Sequence, residues 1–262
     1  MGSSKCATVL GGHQLILVNF LRSFGDSSDC RRYLVPSWAD HVMPGIGLYA
    51  GRVSHRHQVD AAVFVPVKGF DAAKGRLSDT LNPLQRADLA ERMAEAVLLA
   101  AHDLPVFVIC DDSKVAKWAR TQGAGVIRPD QPGLNNAATA GLEQAALSGV
   151  GRAIIAHADL PLAKDLTALA TPDTDVLIVT DHLGDGTNVI SLPADALAQG
   201  FVFAYGSGSA IRHEAEAHRL GLTVSIIQDP ELSWDVDTPA DLVVFDTASD
   251  LYLFDAPPSK SS

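Results

Sequence analysis

The stretch Val63-Phe64-Val65-Pro66-Val67-Lys68-Gly69-Phe70, continuing as Asp71-Ala72-Ala73-Lys74-Gly75-Arg76-Leu77-Ser78, decides the fold. It begins as an apolar run rich in β-branched residues and breaks after a proline, which predicts a buried strand that delivers a flexible loop. The loop carries Lys68, Lys74 and Arg76. Three such cations can bind a polyphosphate through charge and hydrogen bonds, but a solvated basic loop would have the same composition.

Beyond this stretch, short apolar runs alternate with helix-like segments. Asn82-Pro83 supplies an N-cap and a first-turn proline to the first helix, whose apolar residues recur at spacings of three and four. Continuous apolar strands that alternate with helices predict an α/β fold, a mostly parallel sheet with helices on both faces. The predicted strands are residues 61–67, 105–110, 125–127, 152–156, 176–180, 188–192 and 223–227, and the predicted helices begin near residues 83, 113, 135, 209 and 239.

The organisation into domains follows from where this alternation starts and stops. Residues 1–58 show no clear periodicity, and we expect a poorly ordered N-terminal extension there. We expect residues 59–248 to form the domain and residues 249–262, with their Pro and Ser content, to be a flexible tail. A chain of 262 residues is long enough for one sizeable core with such appendages.

Composition excludes several classes of partner. The formal net charge of −11 argues against binding to nucleic acid or to an anionic membrane, because both require clustered cations. No apolar run approaches the roughly 20 residues of a membrane span. The three cysteines show neither CxxC spacing nor an even-numbered framework, so we expect a cytoplasmic location. A homodimer is compatible with the sequence, which does not fix the oligomeric state.

Acidic residues follow two of the apolar segments, where ligands bind in parallel sheets. Asp159 comes directly after the strand 152–156 and its His-Ala dipeptide, and it could hold a divalent metal; an Asx-turn or helix cap is the alternative. Asp235 and Asp237 alternate, so in an extended segment they face the same side, although Asp237 could instead cap the helix that Pro239 begins. Two acidic sites and one cationic loop together suit a metal-bound nucleotide.

Three further segments offer polar groups at turns. Gly133 and Asn135 precede a small-residue helix and could contact a purine, or serve as a plain loop and cap. The Gly206–Ser209 segment opens a helix and suits a phosphate or carboxylate, or is an ordinary turn with a Ser cap. Thr187 offers a hydroxyl at a tight turn, which could equally be a simple hairpin. No GxSxG, P-loop or GxGxxG motif accompanies them, so hydrolase, P-loop kinase and dinucleotide-binding readings lack support.

In combination and in order, these motifs resemble the CofC family of guanylyltransferases. The resemblance covers roughly residues 60–245, and residues 1–58 have no counterpart in it. It is carried by Pro66-Val67-Lys68, Ala73-Lys74-Gly75-Arg76-Leu77, Gly133-Leu134-Asn135, Asp159-Leu160-Pro161, Gly186-Thr187-Asn188, Gly206 through Ser209, and Asp235-Val236-Asp237-Thr238-Pro239.

The resemblance implies a GT-A-like nucleotidyltransferase fold with a mostly parallel mixed sheet. It further implies the transfer of GMP from GTP to a phosphorylated three-carbon acid, with magnesium, in coenzyme F-420 biosynthesis. It also implies the role of each group of residues. Triphosphate contacts would come from the three cations, nucleotide contacts from Gly133 and Asn135, and acceptor contacts from Thr187, Gly206 and Ser209. Magnesium would be held by Asp159 and Asp237, with Asp235 beside them.

The acceptor is the finest of these expectations. We expect phosphoenolpyruvate, because the Ala-rich, Lys-poor composition is typical of a high-GC bacterium, where the family uses mainly this acceptor. The alternatives are 2-phospho-L-lactate and 3-phosphoglycerate, which also carry a carboxylate and a phosphate on three carbons. Two other functions stay open: a transferase of the same fold with a sugar acceptor, and a non-catalytic nucleotide-binding regulator.

Overall fold

The structure is a computed structural model that describes residues 61–242 and the strand residues 16–17 and 34–35. Ile16–Leu17 (β1) and Leu34–Val35 (β2) pair antiparallel within a first unit of the chain, Met1–Arg56. All other described elements belong to the second unit, His57–Ser262. The expectations for the remainder of residues 1–58 and for the tail 249–262 lie outside the described residues.

The second unit is built on one seven-stranded sheet. The strands are Ala61–Pro66 (β3), Val106–Ile109 (β4), Gly125–Ile127 (β5), Arg152–Ala156 (β6), Val176–Thr180 (β7), Thr187–Pro193 (β8) and Val224–Ile227 (β9). Their order in the sheet is β5-β4-β3-β6-β8-β7-β9, and among these described strands β8 alone is antiparallel to its neighbours. The mostly parallel sheet is therefore confirmed.

Both faces of this sheet are buried because alternate strand residues point to opposite sides. Val63 and Val65 pack in one core, and Ala62 and Phe64 pack in the other. The helices are Pro83–Leu99 (α1), Ser113–Thr121 (α2), Leu134–Ser148 (α3) and Ser209–Arg219 (α4), and the short 3-10 helices are Phe70–Ala72, Gly75–Leu77, Thr167–Ala170 and Ala194–Leu197. The first core includes residues of α1 and α2, and the second includes residues of α3 and α4.

Local sequence explains where these helices begin. Asn82 and Gln85 form a capping box at α1, with Pro83 in the first turn. The predicted start of α2 near residue 113 agrees with the structure, where the cap is Asp112 and its carboxylate accepts the amides of residues 114 and 115. Asp112 takes the cap because it directly precedes the first helical residue. None of the helices in the described part of the chain is long and apolar enough to span a bilayer.

The sheet topology gathers chain segments that are distant in sequence. The parallel strands β3, β4, β6 and β7 all end at one edge, and the reversed strand β8 begins there. Each of these ends continues into a loop of polar residues. This edge is therefore where the fold can assemble a site.

Candidate active site

A cleft of about 840 Å³ opens at this edge of the sheet. Its size lies within the range of ordinary small-molecule sites, ~300–1,000 Å³. The loops after β3, β4 and β6 line it, together with the turn before β8, the loop before α4 and the segment that contains Asp235 and Asp237. All the predicted site residues except Asn135 lie in its lining.

Lys74 is the centre of the cleft's charged half. Its ammonium donates to Asp159 Oδ2 over 2.6 Å and to Asp237 Oδ1 over 3.2 Å. Arg76 Nη1 donates to Asp237 Oδ2 over 3.1 Å. The Lys74 backbone has φ 55 and ψ 40, in the left-handed region that non-glycine residues rarely adopt. The fold thus holds a strained residue at the point where three segments meet.

Charge compensation shapes the pKa values in this half. Burial by itself would lower the pKa of Lys74, but the attraction of Asp159 and Asp237 raises it above its ordinary value. Burial would likewise raise the pKa of Asp159, which the neighbouring Lys74 and His157 lower instead. Lys74 is therefore an ammonium and Asp159 a carboxylate at neutral pH.

Asp235 is the member of the acidic group that neither Lys74 nor Arg76 contacts. Burial, and then repulsion from Asp159, raises its pKa, while a hydrogen bond from Asn188 opposes the rise. Asn188 Nδ2 lies 3.4 Å from Asp235 Oδ1 and 3.1 Å from the carbonyl of Leu232. Asp235 thus adds negative potential beside the two carboxylates that Lys74 bridges.

The three carboxylates fit a hard divalent cation in their chemistry. Asp159 Oδ1 is buried and has no hydrogen-bond partner among the described residues, so it is free to be a ligand. No three His, Cys, Asp or Glu side chains in the described range 61–242 are arranged as a ready-made metal centre. This is compatible with magnesium, which is commonly bound through one or two carboxylates together with substrate phosphates.

The opposite half of the cleft consists of hydroxyls and backbone amides. Thr187 Oγ1 lies 3.1 Å from His213 Nδ1 and 3.2 Å from Ser209 Oγ. The amides of Gly206 and Ser207 have no acceptor within the described residues. These groups can all donate to a small anion.

The loop before α4 is held in place by Asp185 and Arg212. Asp185 Oδ2 accepts from the amide of Gly208 over 2.8 Å, and its carbonyl accepts from the amide of Ala210. The guanidinium of Arg212 donates to the carbonyls of Ala204 and Ser207. The amide of Gly208, which the sequence offered to an anion, is thus already used, and the free amides of the Gly206–Ser209 segment are those of Gly206 and Ser207.

Gly186 has a steric reason to be glycine. The Asp181 carboxylate accepts the amides of Asp185 and Gly186, and a Cβ at position 186 would lie 2.6 Å from Asp181 Oδ2. This close approach shapes the turn that presents Thr187. It also explains why a glycine directly precedes β8.

The predicted nucleotide end is only partly assembled. Gly133 lines the cleft at φ 110, a conformation that favours glycine. Asn135 does not line it, because its side-chain carbonyl accepts the amide of Tyr205 over 2.8 Å and so fastens the loop before α4 to α3. Lys68 lines the cleft and is exposed, with no ion-pair partner among the described residues.

The sequence missed several residues on which the site depends. Nothing in the local sequence reveals that His213 reaches Thr187. Asn188 directly follows Thr187 and so carried a positional signal. Asp185 and Asp241 act on backbone amides; Asp241 Oδ2 accepts those of residues 237 and 238. The Asp237 side chain is thus not the helix cap but faces Lys74 and Arg76.

The arrangement has two chemically distinct halves. One offers cations and carboxylates, as a metal-bound polyphosphate requires. The other offers neutral donors, as a second small anion requires. A site with these halves suits a reaction between two anions, in which the protein supplies position and charge neutralisation.

Comparison with known proteins gives a consistent result. The family model described as guanylyl transferase CofC like matches residues 61–247. A phosphoenolpyruvate guanylyltransferase of Sphaerobacter thermophilus is 33% identical over 187 residues, which are 68% of this chain and 88% of that protein. A 2-phospho-L-lactate guanylyltransferase of Methanothermobacter thermautotrophicus is 35% identical, over 68% of this chain and 80% of that protein.

Solved structures agree on the fold. A protein of Desulfovibrio desulfuricans G20 assigned as a nucleotide-diphospho-sugar transferase superposes with a TM-score of 0.59 at 18% identity, covering 74% of this chain and 90% of that one. At this identity the likeness concerns the fold alone. It confirms the nucleotidyltransferase-like architecture that the resemblance implied.

Proposed function

Because the chain belongs to the family of CofC-like guanylyl transferases, we propose that it transfers GMP from GTP to the phosphate of phosphoenolpyruvate. It is a nucleotidyltransferase. The products are enolpyruvoyl-2-diphospho-5'-guanosine and pyrophosphate, and the reaction belongs to coenzyme F-420 biosynthesis. The bacterial relatives that carry the name phosphoenolpyruvate guanylyltransferase support this acceptor.

One observation carries the proposal: a single cleft contains both a charged half and a neutral donor half. Lys74 and Asp159 lie in the first, and Thr187 and Gly206 lie in the second. GTP bound with its triphosphate in the charged half would direct its α-phosphorus toward an acceptor held in the other half. Gly133 lines the same cleft and would lie near guanine or ribose.

The chemical step needs no protein nucleophile. A phosphate oxygen of the acceptor forms a bond to the α-phosphorus of GTP, the bond from that phosphorus to the β-phosphate bridging oxygen breaks, and pyrophosphate leaves with the electron pair. The attacking oxygen is already anionic near neutral pH, so no general base is required. The absence of a nucleophile motif from the sequence is consistent with this step.

The residues of the charged half would lower the barrier by neutralising charge. Lys68, Lys74 and Arg76 would bind the triphosphate and the departing pyrophosphate. Preorganised charges of this kind supply a large part of catalysis in such reactions. Lys74 is already held in position by two carboxylates, so little reorganisation is needed when the nucleotide binds.

We propose Asp159 and Asp237, with Asp235 beside them, as the residues that hold magnesium. The free oxygen of Asp159 and the raised pKa of Asp235 support this assignment. When bound, the ion would polarise the phosphate oxygens and offset their charge. The number and spacing of the three cysteines suggest no disulfide framework, so a reducing cytoplasm is the compartment we propose.

The acceptor class separates this proposal from its nearest alternative. The relative named for 2-phospho-L-lactate has a similar identity to this chain, so the same reaction on that acceptor is the second candidate. Phosphoenolpyruvate and 2-phospho-L-lactate differ from each other only by a small change in their three-carbon frame. Discrimination between them falls to contacts around Thr187 and Gly206.

A pyrophosphate-release assay tests the proposal. Purified protein is incubated with magnesium, each common nucleoside triphosphate, and phosphoenolpyruvate, 2-phospho-L-lactate, 3-phosphoglycerate or a sugar phosphate. We expect pyrophosphate release in only one combination, that of GTP with phosphoenolpyruvate. Release with a different acceptor would replace the substrate, and GTP binding without release in any mixture would favour a regulator. Light scattering on the same preparation tests the homodimer, which stays a prediction.

A further inference from the structure

His213 is fully buried behind the neutral half of the cleft. Its Nε2 lies 2.9 Å from the backbone nitrogen of Ala204. A backbone N–H group can only donate in a hydrogen bond. Nε2 must therefore present a lone pair. A neutral imidazole with an unprotonated Nε2 carries its proton on Nδ1, so the fold selects one tautomer.

That tautomer fixes the direction of the hydrogen bond to Thr187. Nδ1 lies 3.1 Å from Thr187 Oγ1, and with its proton there it donates to the hydroxyl oxygen. The protonated state does not compete, because burial lowers the pKa of His213 to about 4. The electrostatic influence of Arg212 and His157 lowers the pKa of His213 in the same direction, and that of Glu216 opposes it. The Tyr205 ring packs edge-on against the imidazole, with the two ring centroids 4.8 Å apart.

A proton count then shows what remains for a ligand. The hydroxyls of Thr187 and Ser209 lie 3.2 Å apart and carry two protons, of which one is used between them. His213 donates into this pair and takes no proton from it. One hydroxyl proton therefore always remains, whichever way the pair is oriented, and both residues line the cleft.

The opposite tautomer would remove that proton. If Nδ1 were the acceptor, Thr187 would donate to it, Ser209 would donate to Thr187, and neither hydroxyl could donate to a ligand. The amide of Ala204 prevents this arrangement, because an Nε2–H group would face its N–H. Ala204 and His213 thus set the polarity of the pair from outside the cleft.

We propose that His213 is a positioning residue that keeps the Thr187–Ser209 pair a donor toward an anionic oxygen of the acceptor. This inference rests on the proposed function for the identity of the acceptor, a small phosphorylated carboxylic acid. The remaining hydroxyl proton and the free amides of Gly206 and Ser207 are hydrogen-bond donors that have no protein group to accept them among the described residues. Such a set favours a carboxylate or phosphate oxygen and disfavours a hydroxyl or amine at the same place.

The tautomer can be measured without turnover. Histidine labelled with ¹⁵N is incorporated into the full chain, and long-range proton–nitrogen correlation spectra are recorded between pH 6 and 8. The signal that disappears in His213→Gln belongs to His213. We expect a protonated Nδ1 and an unprotonated Nε2, and the reverse pattern would overturn the proposal. This result stands whether or not the protein is active with phosphoenolpyruvate.

Kinetics test whether His213 acts through Thr187. His213→Asn keeps a donor near the Nδ1 position, whereas His213→Gln places its amide toward Ala204 and leaves nothing that donates to Thr187. We expect His213→Gln to raise the acceptor KM about 10-fold, with the KM for GTP and kcat close to wild type. His213→Asn should stay within about 3-fold, as the conservative variant that rescues binding.

A double-mutant cycle separates positioning from mere packing. In a Thr187→Val background, His213→Gln should raise the acceptor KM by less than about 2-fold, because the group it positions is gone. Independent effects that multiply in the double variant, or a His213→Gln variant that affects GTP and acceptor alike, would overturn the proposal. Lack of activity in the wild type with every acceptor would instead refute the proposed function, and the tautomer measurement would still decide the role of His213.

Discussion

Lys74 Nζ donates to Asp159 Oδ2 over 2.6 Å and so joins the loop after β3 to the loop after β6. The Lys74 side chain is 9% exposed and that of Asp159 is 26% exposed, so this pair is partly shielded from water. Asp237 meets the same ammonium from a third segment. The charged half of the cleft is therefore assembled before any nucleotide binds.

Asp159→Asn should lower turnover at least ~100-fold, the scale of losing one main electrostatic contact in the transition state. The substitution removes a negative charge that orients Lys74 and that we assign to magnesium. The rate is measured as kcat with GTP and phosphoenolpyruvate at saturating magnesium. Near-normal turnover would refute the metal assignment.

Asp71→Asn is the matched control for this variant. Asp71 pairs with Lys114 over the same 2.6 Å, but the two side chains are 74% and 78% exposed. Exposed pairs of this kind contribute ~0–1 kcal/mol, so turnover and stability should stay near wild type.

Lys74→Met should make the protein less stable but more responsive to magnesium. Removing the ammonium leaves Asp159, Asp235 and Asp237 close together, with the exposed Arg76 still paired to Asp237, and we expect a loss of about 2 kcal/mol in the free energy of unfolding. A divalent cation would then relieve the repulsion and stabilise the native state by mass action.

Thermal unfolding with and without millimolar magnesium measures this effect. The rise in Tm on adding magnesium should be larger for Lys74→Met than for the wild type. Lys114→Met, which removes an exposed lysine, should respond as the wild type does. An equal magnesium response in all three proteins would contradict the idea that Lys74 shares these carboxylates with a metal.

The sequence predicted the elements well because their periodicity is local. Residues 125–127, 152–156 and 176–180 are strands at the predicted bounds, and the capping signal at Asn82-Pro83 was sufficient to start α1. The antiparallel direction of β8 was anticipated only by the hairpin alternative at Thr187, because a buried strand has the same apolar run in either direction.

The sequence predicted site residues only where the residue type itself indicates the chemistry of the site. Cations and carboxylates at strand ends are such signals, and the structure brings Lys74, Asp159 and Asp237 together across separations of 85 and 163 residues. Asn135 was expected at the nucleotide, whereas its side-chain oxygen accepts a hydrogen bond from the backbone amide of Tyr205. His213 lies on the buried face of α4, where the sequence pattern indicates only core packing. Both depend on tertiary contacts that no local pattern contains.

Gly141→Ala should destabilise the protein by about 1–3 kcal/mol, through overpacking where α3 crosses the sheet. A Cβ at position 141 would lie 2.9 Å from Ile109 Cδ1 and 3.1 Å from Phe64 Cβ. In an exposed helix the same change would stabilise by ~1 kcal/mol, so the sign distinguishes packing from helix propensity. Urea unfolding measures the difference. Glu143→Ala, exposed on the same helix, should change stability by no more than ~0.5 kcal/mol.

The buried imidazole of His213 should make stability depend on pH. Its pKa is lowered to about 4 in the native state and is ~6.5 when unfolded. Between these values only the unfolded chain binds the proton, so the contribution is fully present above pH ~6.5 and is lost as pH falls toward 4. We expect the free energy of unfolding to fall by ~2–3 kcal/mol as the pH is lowered through this window, as measured by urea unfolding. His213→Gln should flatten this slope, whereas His218→Gln, whose histidine is 61% exposed on the same helix, should keep it. An unchanged slope in His213→Gln would show that other groups cause the pH dependence.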